Sequence, residues 1–538
     1  MIQRKILCDA DYLHIPVIPD GERNEMQIWA GGDLIASPLL ALADEGGEYF
    51  FLNVSQYKGR ELMLFAPTPK GISQKSLARI VCGGAPAKEN PLYPQLYREP
   101  LRPAYHFSSR RGWLNDPNGL VYKDGVFHMF YQHNPFGTTH GAVNICWGHA
   151  VSTDLIFWEE KDDAIRPWRR DWSIASGSAV VDEKNHAGYG KGAIIAAFTV
   201  LGTLHTDPAK PCYPHGGQFL AASTDGGNTF YRFSHEAVVP AANNADWRDP
   251  RLFCYGDHYV MAVYERDEKD RNCVSFYVSQ DFHNWERASR SENLYECPDI
   301  FPLQIEGETE SRWVLYGADG LARIGDFDGR RFAESGQQNP LDYGDATYAG
   351  QTWSNHPDGK RVHISWIRGM GNMESDMGYE GMPFSQCMSV PGELFLRRFG
   401  DALRVCRRPV EQVRQLVGET IAKADAKQQE EMVLPMHNPA CYTVRLSDAR
   451  EKVAICVGKH VIFWDPLSAI LSFENGRTAL LDGKSLDFEV LTDTTTVEFC
   501  FENSIMATYA MPADLMSLAI KGKCHMQYTC RSMKNIWE

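Results

Sequence analysis

The chain has 538 residues, too many for one ordinary hydrophobic core, so two or three domains are expected. With 43% hydrophobic and 12% aromatic residues it reads as globular and β-rich, and the aromatic share suits surfaces that stack on sugar rings. A formal charge of -15 excludes a nucleic-acid backbone or an anionic membrane as the main partner, because both require clustered Lys and Arg; neutral ligands stay open.

In chain order, Met1 to Asp9 carries basic residues but no apolar run before the acids begin, so no secretory signal is expected. Fourteen cysteines without paired short spacings then point to reduced thiols and a cytoplasmic location. Residues 1–90 contain alternating segments such as Glu48–Val54 and Glu61–Phe65, which predict a small N-terminal β module. It shows no carboxylate cluster of its own, so a structural role is expected, either covering an edge of the next domain or helping to form a homo-oligomer. Residues 91–104, with Pro91, Pro94, Pro100 and Pro103, read as a linker laid over a surface.

The stretch Gly112–Leu120 holds the strongest local signal. Pro117 biases Asp116 towards an extended conformation, and Asn118-Gly119 favours a turn with positive φ, so Asp116 is expected to be aimed at a strand end. Taken alone, this is a hairpin turn.

Residues 105–407 carry a repeat: Ser152-x-Asp154 with Trp158, Ser223-x-Asp225 with Phe230, Ser279-x-Asp281 with Trp285, and a degenerate copy at Gly325-Asp326 with Phe332. Strand, Ser-x-Asp turn and aromatic, repeated with variable spacing, predict a five-bladed β-propeller with its active face at the central channel. The apolar run Ala193 to Leu201 is far shorter than the roughly 20 residues of a membrane helix, so no membrane partner is expected. Cys212 and His215, with His205 upstream, have metal-ligand spacing but no second ligand pair; no metal and no cofactor are expected. Residues 408–430 read as a linker with a short helix over Pro409–Leu416 and a solvated charged joint over 422–431. Residues 431–538 alternate at period two, for example in Thr443–Leu446 and Val497–Phe501, and predict a β-sandwich. The expected fold class is therefore all-β.

Two further acids resemble Asp116 in their surroundings. Asp249 is followed by Pro250, and Glu296 by Cys297-Pro298, each leading into an apolar strand. Singly, each reads as a turn or salt-bridge residue. Together and in this order, Trp113–Gly119, Arg248–Pro250 and Glu296-Cys297 resemble the nucleophile, transition-state and acid/base motifs of glycoside hydrolase family 32, the invertases, levanases and inulinases. Phe130–Pro135, Trp147–Ser152, Ser176–Ala179 and Gln351–Trp353 are similar to supporting segments of that family.

The resemblance implies a propeller followed by a sandwich and a retaining β-fructofuranosidase. Asp116 would be the nucleophile, Glu296 the general acid and then base, and Asp249 an acceptor for fructose hydroxyls. Retention requires carboxyls about 5 to 5.5 Å apart. Asn115, Gln132, Trp147, Ser176 and Arg248 would line or order the fructosyl pocket. Sucrose or short fructo-oligosaccharides such as inulobiose or levanbiose are the expected substrates, with a phosphorylated sucrose as a further option. A fructosyltransferase sharing the intermediate, or a non-catalytic sugar-binding propeller, are the competing readings. The chain departs from the family pattern at Ala346 and Thr347, where Asp and Phe are usual, and at Gly392, where Arg is usual; none of these is one of the three acids.

Overall fold

Alternating apolar and polar residues, punctuated by Gly, Pro and Asx turns, place most of the chain in strands. A computed structural model describes all residues except 1, 20, 68–70, 88–92, 141–143, 169–171, 203–215, 241–245, 337 and 370–378. His205, Cys212 and His215 lie outside the described residues.

Five antiparallel sheets follow one another in sequence, and we number them as blades 1 to 5. Their innermost strands are Gly112–Lys123, Ser173–Asp182, Trp247–Tyr255, Asp299–Gln304 and Thr347–Thr352. Adjacent blades bury apolar faces against each other: Ile195, Leu220, Leu252 and Met261 join blades 2 and 3, and Phe253, Val260, Ile300 and Leu315 join blades 3 and 4. Inner strands are buried on both faces, which is why Ser173–Asp182 is buried throughout. The ring is closed where Phe384–Ser385, arriving from the blade 5 connection, pairs in parallel with Gly112–Trp113.

The repeat is the turn between the third and fourth strands. In blade 1 the Ser152 hydroxyl takes the Leu155 amide at 2.9 Å, Asp154 takes the Ile156 and Phe157 amides, and Trp158 folds back to donate to the Leu155 carbonyl. Blade 3 repeats this with Ser279, Asp281 and Trp285, whose indole donates to Phe282. In blade 4 the turn acid is Asp328 rather than Asp326: Asp328 takes the Arg330 and Arg331 amides, four residues before Phe332, while Asp326 pairs with Arg312 on the strand surface.

Two long strands, Val417–Leu434 and Leu518–Met533, pair along their length and run through the whole C-terminal sheet. The C-terminal half of Leu518–Met533 pairs with Ala440–Ser447, and its N-terminal half with Val453–Val457, so it serves both layers of a sandwich. The expected linker over 408–430 is therefore corrected. Only Glu411–Leu416 is helical, as a 3-10 turn, and the charged joint lies in the middle of an edge strand. Ala422 and Ala426 pack towards the sandwich core while Lys423, Asp425 and Lys427 face solvent, a composition that keeps an edge from pairing with another chain.

The sandwich is fastened to the propeller by His106, whose Nδ1 lies 2.8 Å from Asp493 Oδ2 and whose Nε2 lies 3.0 Å from Glu498 Oε1, all three buried. Asp493 also accepts from the amides of Ala104, Tyr105 and His106.

The N-terminal strands form a four-stranded and a three-stranded sheet around Leu13, Ile15, Ile28, Phe50 and Leu64. Phe136 of the propeller is buried in this same cluster. The Tyr12 hydroxyl and the Asn53 amide both donate to Asp162, and Leu39 exchanges two backbone bonds with the Asn144 side chain at 2.9 and 2.8 Å. These strands thus lie against the edge of blade 1. Among the described residues no helix is long and apolar enough to cross a membrane.

Candidate active site

Four of the five inner strands slip register close to their starts, between Leu114 and Pro117, Ile174 and Gly177, Arg248 and Arg251, and Tyr348 and Gln351. A bulge lets one residue leave the ladder and re-aims its side chain. The residues released are Asn115 and Asp116 in blade 1, Ser176 in blade 2 and Asp249 in blade 3. The expected turn at Asp116–Gly119 is instead two bulges inside one strand, the second carrying Gly119 at φ 55° beneath the Phe130 ring, where a Cβ would sit 2.6 Å from that ring. Pro117 and Pro250 lie at bulges, where a missing amide costs no ladder bond. Gly177 is needed for close approach, since a Cβ there would meet the Ala197 carbonyl at 2.0 Å.

Blade 4 reaches the same level differently. Glu296 and Cys297 precede its inner strand with φ of 47° and 39°, and Asp249 has φ of 62°, all in the left-handed region that non-glycine residues seldom adopt. Such conformations cost about 1–3 kcal/mol each and persist where the surroundings impose them. Here the Ala318 amide donates to both the Tyr295 and Glu296 carbonyls at 2.9 Å.

The three acids converge. Asp116 Oδ2 accepts from the Ser176 hydroxyl at 2.6 Å and Oδ1 from Asn115 Nδ2 at 3.0 Å, while Asn115 Oδ1 is held by the Trp113 indole at 2.9 Å. The Cys297 thiol lies 3.4 Å from both Asp116 Oδ2 and Asp249 Oδ2, and the Cys297 amide donates to Asp249 Oδ2 at 3.1 Å. Arg248 bonds Glu296 Oε1 and Asp246, with its Nε 3.7 Å from Asp249. The Tyr348 hydroxyl donates to Glu296 Oε2 at 2.6 Å.

Burial pushes the Asp116 carboxyl above its usual range, against the hydrogen bonds of Ser176 and Asn115. Burial likewise pushes Asp249 up to about 7; Arg248 opposes this, and the charges of Glu296 and Asp116 add to it. Cys297 is held as a neutral thiol by burial and by these same carboxylates. Asp116 and Asp249 thus stand on either side of one uncharged thiol.

Asn115, Asp116, Ser176, Arg248, Asp249 and Glu296 are brought together. Gln132 and Trp147 stand behind them: Trp147 is fully buried and its indole donates to the Ala175 carbonyl at 2.9 Å, while Gln132 Nε2 donates to Ile174 at 3.1 Å. Both brace the bulge that presents Ser176. Tyr348 and Cys297 are the residues that sequence reasoning did not assign, although both stand inside segments it singled out. Of the departures, Ala346 is buried against Ala510 of the sandwich. Arg407 fills the space over Gly392 and reaches Asp342 at 3.2 Å. A cleft of about 1090 Å³ between blade 5 and the sandwich contains none of the three acids, and several charges lining it are paired, as in Arg414–Glu489 and Arg445–Asp487.

Fold and site together define a class: a five-bladed propeller with three carboxylates meeting at one end of its channel, followed by a β-sandwich. Residues 106–407 match the family model described as glycosyl hydrolases family 32 N-terminal domain, and the chain belongs to that family. It is 33% identical over 347 residues to a levanase of Bacillus subtilis, covering 60% of this chain and 49% of the levanase. It is 32% identical over 316 residues to invertase 1 of Saccharomyces cerevisiae, covering 54% of this chain and 57% of the invertase. The chain thus spans about half the length of these curated relatives. The crystal structure of an exo-inulinase from Aspergillus awamori superposes with a TM-score of 0.71 at 20% identity, over 82% of this chain and all of that one.

Proposed function

We propose that the chain is a retaining β-fructofuranosidase that releases terminal fructose from β-fructosides. The observation that carries this reading is the meeting of Asp116, Asp249 and Glu296 from separate blades around one thiol. In the first step the Asp116 carboxylate attacks C2 of the terminal fructosyl unit, and the bond from C2 to the leaving oxygen breaks. Glu296 gives its proton to that oxygen. In the second step the Glu296 carboxylate takes a proton from water, the resulting hydroxide attacks C2, and Asp116 leaves as a carboxylate. Asp249 accepts hydrogen bonds from fructose hydroxyls, and these strengthen as C2 becomes positive.

Arg248 is committed to Asp246, Asp249 and Glu296, which favours a neutral sugar over a phosphorylated one. The curated relatives named levanase and invertase support fructan and sucrose as substrate classes. The described cysteines are all free thiols, which supports a reducing, cytoplasmic setting for this chain.

The test is fructose release from sucrose, inulobiose, levanbiose and sucrose-6-phosphate by the wild type, Asp116→Ala and Glu296→Ala, with the anomer first formed followed by NMR. Release by wild type with retained configuration, and near-total loss in both variants, is expected. A wild type that binds these sugars but cleaves none would replace this reading with a binding protein; transfer to sugar in preference to water would make it a fructosyltransferase.

A further inference from the structure

The register slip between Arg248 and Arg251 leaves residues 249 and 250 of blade 3 without ladder partners. Buried backbone donors and acceptors must then be satisfied by other groups. Here blade 2 supplies them. The Asp249 amide donates to the Thr199 hydroxyl at 2.9 Å, the Pro250 carbonyl accepts from the Ser178 hydroxyl at 2.7 Å, and the same Ser178 oxygen takes the Leu252 amide at 2.7 Å.

Thr199 is itself held in one orientation. It faces Gln218 across paired strands of blade 2, its hydroxyl donates to Gln218 Oε1 at 2.7 Å, and Gln218 Nε2 donates to the Trp247 carbonyl at 3.2 Å. The Gln218 carboxamide turns its oxygen to the hydroxyl and its nitrogen to the carbonyl, which leaves the Thr199 oxygen to accept from Asp249. These bonds form a clasp from the carbonyl of residue 247 to the amide of residue 249, spanning Arg248. Thr199, Gln218 and Ser178 are at most 1% exposed, so water does not take the place of a lost partner.

The clasp bears on the chemistry through what it holds. Asp249 has φ of 62°, a left-handed conformation that persists where neighbours impose it, and in that conformation its carboxylate meets the Cys297 amide at 3.1 Å, beside Asp116. Arg248, inside the clasp, bonds Glu296. Thr199 bonds the Asp249 backbone rather than its carboxylate, so it acts on that carboxylate by placing it.

Resting on the fructosidase reading above, we infer that Thr199 is a positioning residue for the reaction: oriented by Gln218, its hydroxyl imposes the Asp249 conformation in which the carboxylate meets the fructosyl unit as charge develops at C2. Its loss lowers turnover more than affinity, because the contacts of Asp249 strengthen in the transition state.

The test is steady-state cleavage of the best substrate among sucrose, inulobiose and levanbiose by wild type, Thr199→Val, Thr199→Ser and Gln218→Met, with folding checked by thermal unfolding. Thr199→Val keeps the side-chain shape but leaves the Asp249 amide without its acceptor; kcat is expected to fall about 10- to 100-fold, with KM changed by less than about threefold. Thr199→Ser keeps the hydroxyl and should return kcat to within about threefold of wild type. Gln218→Met removes the group that orients the hydroxyl; it should lower kcat about 3- to 10-fold, and it carries the test if Thr199→Val does not fold. In an Asp249→Asn background, assayed at high enzyme concentration, Thr199→Val should add less than about threefold, because it acts through Asp249. A folded Thr199→Val with unchanged kcat, a Thr199→Ser no better than Thr199→Val, or losses that multiply in the double variant overturn the role of Thr199 and leave the fructosidase reading intact. No release from any of these sugars by wild type overturns the fructosidase reading itself and this role with it.

Discussion

The Tyr348 hydroxyl donates a 2.6 Å hydrogen bond to Glu296 Oε2, joining the first residues of blade 5 to the acid that opens blade 4. Glu296 is thereby held from both sides, by Tyr348 on one oxygen and Arg248 on the other. Burial and the neighbouring Glu296 carboxylate keep the Tyr348 phenol protonated, so it acts as a donor throughout the working pH range.

Replacing Tyr348 by Phe removes this bond and leaves the ring in place against Trp366. A hydrogen bond to a charged group is worth about 1.5–3 kcal/mol, so kcat is expected to fall by about 10- to 150-fold. KM for sucrose should change by less than about threefold, because the bond positions the acid and does not hold the sugar. Steady-state kinetics at the pH optimum measure both, and a rise in KM with kcat unchanged would show that Tyr348 binds substrate instead.

Asp249 is a source of instability that the site retains. Its folded pKa of about 7 lies above the ordinary 3.8, so the native state holds a proton that the unfolded chain releases, and stability falls as pH climbs from about 4 towards 7. Asp249→Asn should therefore raise Tm at pH 7 by about 2–5 °C while activity is lost, with the gain shrinking towards pH 4. Thermal unfolding across pH 4–8 checks this; a variant less stable than wild type at pH 7 would contradict it.

His106 carries a dependence of the same sign in a higher pH window. Burial alone would lower its pKa, but Asp493 and Glu498 outweigh burial and raise it from 6.5 to about 9. Stability from this cluster is fully present below 6.5 and is lost as pH rises through about 9. His106→Gln should cost about 3–5 kcal/mol at pH 7, because two buried carboxylates lose their partner. It should also remove the fall in wild-type Tm between about pH 6.5 and 9. Parallel Tm curves for the two proteins would exclude His106 as the titrating group.

Phe136 ties the N-terminal strands to the propeller. Its truncation to Ala should cost about 3–5 kcal/mol of local packing and speed amide exchange across Tyr12–Val17, while the blade 3 strands stay protected. Hydrogen-exchange mass spectrometry separates the two regions. Uniform loss of protection would show that the N-terminal strands and the propeller unfold as one unit.

Much of this protein is legible in the amino-acid order because the deciding forces are local. Period-two alternation marks the sandwich strands Ala440–Ser447 and Thr496–Phe501, since a strand's faces alternate residue by residue. Ser-x-Asp turns mark the blades because their hydroxyl and carboxylate bond amides two to three residues away. Asp116, Asp249 and Glu296 stand out because each is followed by a proline one or two residues on.

The tertiary structure decided what depends on distant partners. Whether Asp116-Pro117-Asn118-Gly119 turns or bulges is settled by the neighbouring strand, which continues to pair on both sides of it. The charged run from 422 to 431 becomes a strand because Leu518–Met533 supplies its ladder, and no local composition reports a partner about a hundred residues away. Trp147 braces the bulge that presents Ser176 because Ala175 offers it a carbonyl in a different blade. Tyr348 reaches Glu296 across 52 residues of sequence because the starts of blades 4 and 5 pack side by side, a placement that belongs to the assembled blades rather than to either segment.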